Sequence, residues 1–264
     1  MTSLHSSPNF VLTSDDGVVT VRIDRAAKKN ALTLAMWTEL RNLFTQMAGQ
    51  PEVRAVVLGG TGGSFSAGAD IAEFPTVRAT AEMARDYEEQ VDGCIAAITS
   101  LPKPTIAAIN GACVGGGFAL AQACDFRHAD DTAHFAIPAA RMGLVYGVTK
   151  CRRLASLIGM SNAKAVLLTG KRFECAEMVA YGFVDRRTDG DPFSSALSAA
   201  RELGQVAPLS VQGMKAILDA IGSGDVDRRA EEFEQLVRAA DESADHREAV
   251  AAFAEKRPPR FTGH

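Results

Sequence analysis

A strand–helix–strand unit near the N-terminus constrains the fold of this chain more than any other feature. Residues 18–23 alternate and are rich in β-branched side chains, and residues 53–58 form a continuous apolar run that ends in Gly59-Gly60, so both predict strands. Residues 32–47 between them carry apolar side chains at helical spacing, with Thr33 as the N-cap. Two strands joined by a helix run parallel through a crossover connection. The sequence therefore predicts an α/β fold.

The remaining apolar patterns extend this core and then change to helices alone. A third strand is predicted at residues 105–109. Further helices are predicted at 75–98, 148–158, 163–168 and 176–181, and short strands or bridges at 135–137 and 183–184. From about Pro192 onward strand signals vanish, and helices are predicted at 192–206, 209–221 and 227–255, the last with possible breaks. We therefore predict a core over residues 1–191 and a helical C-terminal region over residues 192–264.

Composition limits the function classes. The 264 residues carry 47% hydrophobic and 23% charged side chains, which is typical of a globular protein. The length fits one large domain, or a core domain with a small helical appendage. The formal net charge of -4 argues against nucleic-acid binding, so a polyanionic ligand needs a local cluster of Lys and Arg. The five cysteines are odd in number and form no CxxC motif. This predicts reduced thiols in the cytoplasm and no zinc site.

Two features could suggest membrane targeting. The N-terminal residues MTSLHSSPNF have neither a basic start nor an apolar run, so we expect no signal peptide. Residues 104–124 carry no charge, and Gly111 and Gly115 form a GxxxG pattern. Asn110-Gly111 and three consecutive glycines interrupt this stretch, however, and we interpret it as strand, turn and buried helix. We predict no membrane span.

Two glycine-rich turns, each after a predicted strand, carry the chemistry. They are GGTGGSFSAGAD at residues 59–70 and NGACVGGG at residues 110–117. Glycine lets the backbone approach a ligand and direct free N–H groups at negative oxygen. Neither turn fits a nucleotide loop, because no GKS, GKT or GxGxxG pattern follows. For each turn taken alone, the alternative is close packing between a helix and a strand.

Together these turns resemble a known family. FSAGADI at 65–71 and AINGACVGGG at 108–117 resemble the two signature loops of the crotonase superfamily, the enoyl-CoA hydratase/isomerase family. In order along the chain, DRAAKKNAL at 24–32, ACDFRHA at 123–129, FAIP at 135–138 and FAEKRPPRF at 253–261 resemble further segments of that family. The resemblance covers almost the whole chain.

The resemblance implies a crotonase-type spiral of ββα turns with a C-terminal α-helical trimerisation region, assembled as a homotrimer or a dimer of trimers. The implied ligand is an acyl-coenzyme A thioester, with coenzyme A as part of the substrate and no permanently bound cofactor. Backbone N–H groups of Ala69 and Gly116 are the implied oxyanion hole. Such donors stabilise the negative charge that grows on the thioester oxygen as an enolate forms, by several kcal/mol in typical cases.

The resemblance also implies contacts with coenzyme A. The implied set comprises Lys28, Ala69, Asp70, Ile71, Gly116, Phe253 and Lys256. Phe253 and Lys256 match positions that, in the family, meet the adenine and the 3′-phosphate from a neighbouring subunit. Lys29 and Arg25 are further candidates for the local positive cluster. Their alternative interpretation is a solvated surface.

The sequence departs from the family where a hydratase carries two glutamates. The matching positions are Ala119 and Ala139, and a third acidic position used by related isomerases falls at Gly147. Loss of a positioned acid or base typically costs on the order of 10²- to 10⁴-fold in rate. We therefore expect no efficient hydration by the usual route.

Loss of CO₂ from a malonyl-type thioester needs no base, because the departing carboxylate itself generates the enolate. Residues 135–147 resemble the methylmalonyl-CoA decarboxylase branch in spacing, and its tyrosine matches Tyr146, whose hydroxyl could hold the carboxylate. The alternative for Tyr146 is a buried hydroxyl satisfied by backbone. That branch also carries a histidine at the position of Ala69, which this chain lacks.

Three hypotheses follow. The first is an enzyme that acts through an enolate as a decarboxylase or other lyase, and the second is a non-catalytic acyl-CoA carrier or sensor. The third is a hydratase with relocated acids, for which Glu73, Asp86 and Glu89 are the nearest in sequence to the first loop. His128 and His134 are additional candidates by composition, and their spacing predicts a strand or its edge.

Overall fold

The computed structural model describes residues 7–264, and its core is a six-stranded sheet with a second, three-stranded sheet beside it. The strands are β1 (Phe10–Asp15), β2 (Val18–Ile23), β3 (Ala55–Gly60), β4 (Thr105–Ile109), β5 (Ala112–Val114), β6 (Phe126–Ala129), β7 (His134–Ala136), β8 (Phe173–Glu174) and β9 (Arg186–Arg187). The large sheet has the order β1-β2-β3-β4-β6-β9 and the small one the order β5-β7-β8.

Helices cover the sheets and form the C-terminal region. They are α1 (Leu34–Ala48), α2 (Phe74–Val77), α3 (Ala81–Thr99), α4 (Gly116–Ala123), α5 (Val148–Thr169), α6 (Cys175–Ala180), α7 (Pro192–Gly204), α8 (Pro208–Ser223), α9 (Ala230–Asp241) and α10 (Ala244–Glu255). Short 3₁₀ turns lie at Ala26–Lys28, Ile71–Glu73, Pro138–Met142 and Asp227–Arg229. In residues 7–264, no helix combines the length and apolarity needed to cross a bilayer.

The strand–helix–strand prediction is confirmed. Strands β2 and β3 pair in parallel, with Val18 opposite Ala55, and α1 crosses between them. Thr33 accepts a hydrogen bond from Met36 N and is the N-cap of α1, as predicted. The buried face of α1 includes Trp37, which has no exposed surface. The helical spacing of the apolar residues therefore correctly predicted that Trp37 faces the core.

Strand β1 was not predicted. It pairs antiparallel with β2 through the turn at Asp16-Gly17, where both residues have positive φ. The second half of the sequence FVLTSD is polar, and residues 13–15 are exposed. The strand therefore has no alternation of apolar and polar residues from which it could be predicted. The Asp-Gly dipeptide is the signal that could have located this hairpin.

The region predicted as one helix over residues 75–98 is two helices. Helix α2 ends at Val77, and Thr80 accepts from Met83 N to begin α3. A Ser/Thr side chain that caps the helix N-terminus competes with continuous helix, which explains the break. Helix α5 joins the two helices predicted at 148–158 and 163–168, with a non-helical Gly159 between them.

The short strand predicted at residues 183–184 is wrong. These residues are buried coil. The nearby strand, β9, begins two residues later and pairs with β6 through Arg186 and Arg187. The apolar side chains of residues 183 and 184 therefore indicated that the segment is buried, but not that it pairs with a strand. The strand predicted at residues 135–137 is confirmed as β7, one residue earlier.

The C-terminal region is helical in the residues that follow β9, as predicted. Helix α7 packs its Ala196 and Ala200 against Val57 and Ile106 on the face of the large sheet opposite α1. Helices α8, α9 and α10 follow. The boundary between residues 191 and 192 stays a prediction.

Candidate functional site

The two glycine-rich turns meet in space. Ser66 and Cys113 form a parallel bridge, with Ser66 N donating to Ala112 O at 2.7 Å and Val114 N donating to Ser66 O at 3.0 Å. The first turn is also tied to the segment before α1, because Leu32 bridges Ala69. These backbone bonds hold both turns rigidly against each other.

Glycine is required at the point of closest approach. Gly68 has a φ of 89°, and a side-chain carbon there would lie 2.5 Å from Val114 O and 2.7 Å from Gly116 N. A side-chain carbon on Gly116 would lie 3.4 Å from Ala69 N. The backbone nitrogens of Ala69 and Gly116 are therefore neighbours because nothing larger than hydrogen separates the two turns.

Both N–H groups are free of protein acceptors. In the bridge to Leu32, the partners are Gly68 O and Asp70 N, so the Ala69 N–H points away from Leu32. Gly116 is the first residue of α4, where a backbone N–H has no intrahelical acceptor. Within residues 7–264 neither nitrogen donates a hydrogen bond. Two adjacent free donors at a helix N-terminus can hold a negative oxygen.

Two residues that sequence reasoning missed hold the first turn in shape. Asn30 is fully buried and donates from Nδ2 to Thr61 O and Ser64 O, at 2.9 and 2.6 Å. Ser66 Oγ accepts from Gly68 N and donates to Asn30 O. The positive φ of Asn30, 57°, is a conformation that Asn tolerates better than most residues.

The indole ring of Trp37 packs beside the second turn, and other aromatic side chains lie in the surrounding core. Trp37 Cζ2 lies 2.8 Å from the point where a side-chain carbon on Gly116 would be. Phe74 and Tyr87 pack edge to face, with ring centroids 5.7 Å apart, and Tyr146 packs partly buried against the same core. Trp37 was not among the predicted site residues, because a helical apolar stripe does not reveal which of its members lies beside the second turn.

The chain matches a known family across this architecture. A family model described as enoyl-CoA hydratase/isomerase matches residues 13–264. The chain belongs to the enoyl-CoA hydratase/isomerase family. The predicted family membership is confirmed.

Individual relatives agree with this membership. The peroxisomal Delta(3,5)-Delta(2,4)-dienoyl-CoA isomerase of Arabidopsis thaliana is 30% identical over 260 residues, which are 94% of this chain and 94% of that protein. The crystal structure of an enoyl-CoA hydratase/carnithine racemase from Magnetospirillum magneticum superposes with a TM-score of 0.92 at 31% identity and covers 98% of this chain and 97% of that one. The crystal structure of the enoyl-CoA hydratase from Bacillus anthracis superposes with a TM-score of 0.89 at 30% identity, and the match covers 97% of this chain and 100% of that one. The predicted crotonase-type α/β fold is confirmed.

The positions that the family resemblance assigns to acids lie at this site without carboxylates. Ala119 is on α4 and is 1% exposed, and Ala139 lies in the 3₁₀ turn after β7, half-buried against the core. Gly147 is the N-cap of α5. A side-chain carbon on Gly147 would lie 4.0 Å from Asp92 Oδ2. A carboxylate therefore reaches the third position from α3, which sequence spacing did not reveal.

That carboxylate belongs to an ion-pair cluster between α3 and α5. Lys150 Nζ, on a side chain 7% exposed, lies 2.9 Å from Asp92 Oδ1 and 3.3 Å from Glu88 Oε2. Glu88 also pairs with Arg78 at 2.6 Å. Because both carboxylates are engaged by cations, the cluster joins the two helices.

Tyr146 lies two residues before the start of α5, and its hydroxyl is buried. Within residues 7–264 the hydroxyl has no hydrogen-bond partner, so the alternative of a hydroxyl satisfied by backbone is wrong. Burial raises the pKa of Tyr146 well above its usual range, and the Cys151 and Cys113 thiols and the Asp92 carboxylate add to the shift. The hydroxyl is therefore a protonated donor at neutral pH.

The other predicted acids and bases lie outside the hole. Glu73 Oε2 accepts from Leu34 N at 2.8 Å, so it stabilises the start of α1. Asp86 and Glu89 are exposed on α3. His128 is buried in β6 and lies 3.0 Å from Ser195 Oγ of α7, and burial lowers the pKa of His128. His134 lies in β7, so the strand location predicted for both histidines is confirmed.

The residues implied in contacts with coenzyme A fall into two groups. Asp70 and Ile71 follow Ala69 directly, and Arg25 Nη1 pairs with Asp70 Oδ2 at 2.7 Å. This pair fastens the Lys28 loop to the first turn, and the Arg25 hydrogen bond is the main reason that the pKa of Asp70 is lowered. Lys28 and Lys29 are exposed.

Phe253 and Lys256 form the second group. Both lie at the end of α10, where Phe253 is 89% exposed and Lys256 is the C-cap. In residues 7–264, no hydrogen bond or ion pair connects either of them to the two turns.

Proposed function

We propose that this chain binds acyl-coenzyme A thioesters with the thioester oxygen between the N–H groups of Ala69 and Gly116. The observation that carries this proposal is the adjacency of two free backbone donors at the start of α4. Family membership supports the ligand class, since the named relatives include a dienoyl-CoA isomerase and enoyl-CoA hydratases. Donors in such a site are worth several kcal/mol in typical cases when charge grows on the oxygen.

The proposed reaction proceeds through an enolate without a pair of glutamates, and decarboxylation of a malonyl-type thioester is its concrete form. The bond between Cα and the carboxylate carbon breaks, its electron pair passes into the enolate, and CO₂ departs. The negative charge then rests on the oxygen held by Ala69 and Gly116. A proton from solvent completes the acyl product at Cα. The alanines at 119 and 139 favour this reaction over hydration, because no step requires a protein base.

The hydroxyl of Tyr146 is the proposed donor to the departing carboxylate. It is buried, protonated and without a partner in the described chain, and a phenol can orient a carboxylate without neutralising its charge. We expect Tyr146→Phe to lower the rate of CO₂ release from malonyl-CoA or methylmalonyl-CoA about 10-fold or more, in line with a lost hydrogen bond to a charged group. The measurement is CO₂ release by the purified protein, with Tyr181→Phe as the matched control.

Turnover and calorimetric binding of malonyl-CoA, methylmalonyl-CoA and crotonyl-CoA by the purified protein separate the alternatives. Tight calorimetric binding with no turnover of any thioester contradicts the enzyme and leaves a carrier or sensor. Hydration of crotonyl-CoA at a high rate contradicts the decarboxylase and points to relocated acids. CO₂ release that is equal in wild type and Tyr146→Phe removes Tyr146 from the proposal.

We also propose a homotrimer or a dimer of trimers in which Phe253 and Lys256 complete the coenzyme A site of a neighbouring subunit. An almost fully exposed Phe and the exposed Lys256 beside it support this assembly, because adenine and phosphate need an aromatic face and a cation. Sedimentation equilibrium is expected to give three or six times the monomer mass, and a monomer contradicts the proposal.

The proposed location is the cytoplasm. All five cysteines are free thiols, and four of them are buried, which supports a reducing compartment. Lys28 with Lys29 is the proposed local positive cluster for the phosphates of coenzyme A.

A further inference from the structure

Helix α4 begins at Gly116, and one arginine of α5 holds the opposite end of this helix. Arg153 Nη2 donates to Ala123 O at 3.1 Å and to Cys124 O at 3.4 Å. Its Nε donates to Gln122 O. These carbonyls belong to the last turn of α4 and to its C-cap, where a helix has no N–H groups of its own to satisfy them. A single guanidinium therefore binds the end of α4 that lies opposite the two free donors.

Arg153 is itself held by α8. Its Nη1 lies 3.2 Å from Asp219 Oδ1, and the two side chains are 19% and 27% exposed. Burial raises the pKa of Asp219, whereas Arg153 and Lys215 lower it. A guanidinium is planar and presents its donors in a fixed fork. The contact with Asp219 at Nη1 therefore also orients Nε and Nη2, the two nitrogens that bind α4.

The other contacts of α4 fix its end less well. Residues 117–123 are all buried, and Gln122 is the one polar side chain among them. Burial of apolar side chains is favourable but has no direction. In residues 7–264, other elements make four side-chain hydrogen bonds to the carbonyls of residues 122–124. Three come from Arg153 and the fourth from Arg127. Arg153 is thus the main directional restraint on this end of the helix.

A displacement of one end of α4 is transmitted to the other. The helix has eight residues, which span about 12 Å, and its backbone hydrogen bonds make it move as a unit. Its first turn packs against the first glycine-rich turn without spare room, because a side-chain carbon on Gly117 would lie 2.2 Å from Ser66 O. A misplacement of about 1 Å caused by a remote change can cost on the order of 10²-fold in rate.

We infer that Arg153, held by Asp219, is a positioning residue that sets the place of the Gly116 N–H through α4. This inference rests on the proposed function, in which Ala69 and Gly116 hold the thioester oxygen. It adds two residues to that function, one from α5 and one from the C-terminal helical region. Both act through the backbone of α4.

The test replaces Arg153 by lysine, which keeps the positive charge and removes the planar fork. Arg153→Lys is expected to lower kcat about 10- to 100-fold for the thioester that wild type turns over. KM is expected to change little, because the charge on the thioester oxygen grows only as the transition state forms. Steady-state kinetics measure both quantities.

Arg152→Lys is the matched control. Arg152 is the neighbouring residue of α5 and also binds α8, because its Nη1 donates to Ser223 O at 2.7 Å. In residues 7–264 its side chain makes no hydrogen bond to α4. The control therefore makes the same substitution at the same pair of helices, and it is expected to keep the wild-type kcat.

An infrared measurement separates positioning from folding. Hydrogen bonds to the thioester oxygen weaken the C=O bond, so the C=O stretch of bound butyryl-CoA is expected to lie below that of the free ligand. Isotope-edited difference spectra with a ¹³C-labelled thioester carbonyl report this shift at saturating ligand, whatever fraction of the protein is folded. The shift is expected to be smaller in Arg153→Lys than in wild type and in Arg152→Lys.

Three results overturn the positioning role. The first is a wild-type C=O shift in Arg153→Lys, even where kcat falls, since the loss then has another origin. The second is a wild-type kcat in Arg153→Lys, and the third is an equal change in Arg152→Lys. Should Arg153→Lys fail to fold, Asp219→Asn decides, because it keeps the acceptors on α4 and removes only the partner charge. It is expected to reduce the C=O shift, and an unchanged shift overturns the role.

The two proposals fail differently. Absence of binding by every thioester, or a C=O stretch of bound butyryl-CoA that equals the free value in wild type, overturns the proposed function and the positioning role with it. A lowered stretch in wild type that Arg153→Lys leaves unchanged overturns the positioning role alone.

Discussion

Gly116→Ala is expected to lower kcat/KM for the thioester that the wild type turns over by on the order of 10²-fold or more, the loss typical of one oxyanion-hole donor. The new methyl group would lie 2.8 Å from Trp37 Cζ2 and 3.4 Å from Ala69 N. Carbon atoms prefer separations of about 3.5 to 4.0 Å, so either the indole or the turn must shift. A shift of the turn moves the Gly116 N–H away from its partner donor.

The measurement is steady-state kinetics beside urea unfolding, since overpacking typically costs about 1 to 3 kcal/mol of stability. Gly213→Ala is the matched control. Gly213 is a buried glycine of α8 whose side-chain carbon would make an ordinary contact, 3.7 Å from Leu236 Cβ, and Ala in a helix interior is stabilising by roughly 0.5 to 1 kcal/mol. Wild-type kinetics and affinity in Gly116→Ala would remove Gly116 from the site.

Arg127→Ala is expected to destabilise the fold by about 3 kcal/mol or more, because it leaves buried partners unpaired. The Arg127 side chain is 2% exposed and pairs with Asp185 at 2.7 Å. Its Nε donates to Phe183 O at 2.5 Å and its Nη1 to Cys124 O at 2.9 Å. Burial lowers the pKa of Arg127, and Asp185 opposes that shift. One side chain thus joins β6 to the end of α4 and to the segment before β9.

The free energy of unfolding in urea tests this expectation. Arg187→Ala is the control, since Arg187 pairs with Asp131 on the surface and its side chain is 49% exposed. Exposed pairs of this kind contribute about 0 to 1 kcal/mol. A loss in Arg127→Ala no greater than in Arg187→Ala would show that the buried network contributes little.

Local sequence patterns predicted the helices and strands that bury only one face. The apolar period of residues 32–47 gave α1, and Thr33 gave its cap, because both depend on neighbours within one turn of helix. The Asp16-Gly17 hairpin carried a local signal that was overlooked. The apolar pair Phe183-Val184 misled because a buried coil and a buried strand have the same composition, and only pairing with a distant strand distinguishes them.

The candidate site divides in the same way. The sequence by itself determined the family and located the two glycine-rich turns, because these turns are constrained by backbone sterics that only particular residues allow. The assignment of Ala69 and Gly116 as oxyanion-hole donors stays a proposal. Only the tertiary structure decided that Trp37 lies beside Gly116, that Asp92 and Lys150 lie beside Gly147, and that the Tyr146 hydroxyl has no partner in the described chain. These contacts join α1, α3 and α5, which are far apart along the chain. Their geometry depends on how helices pack against one another, and no local pattern of residues encodes that packing.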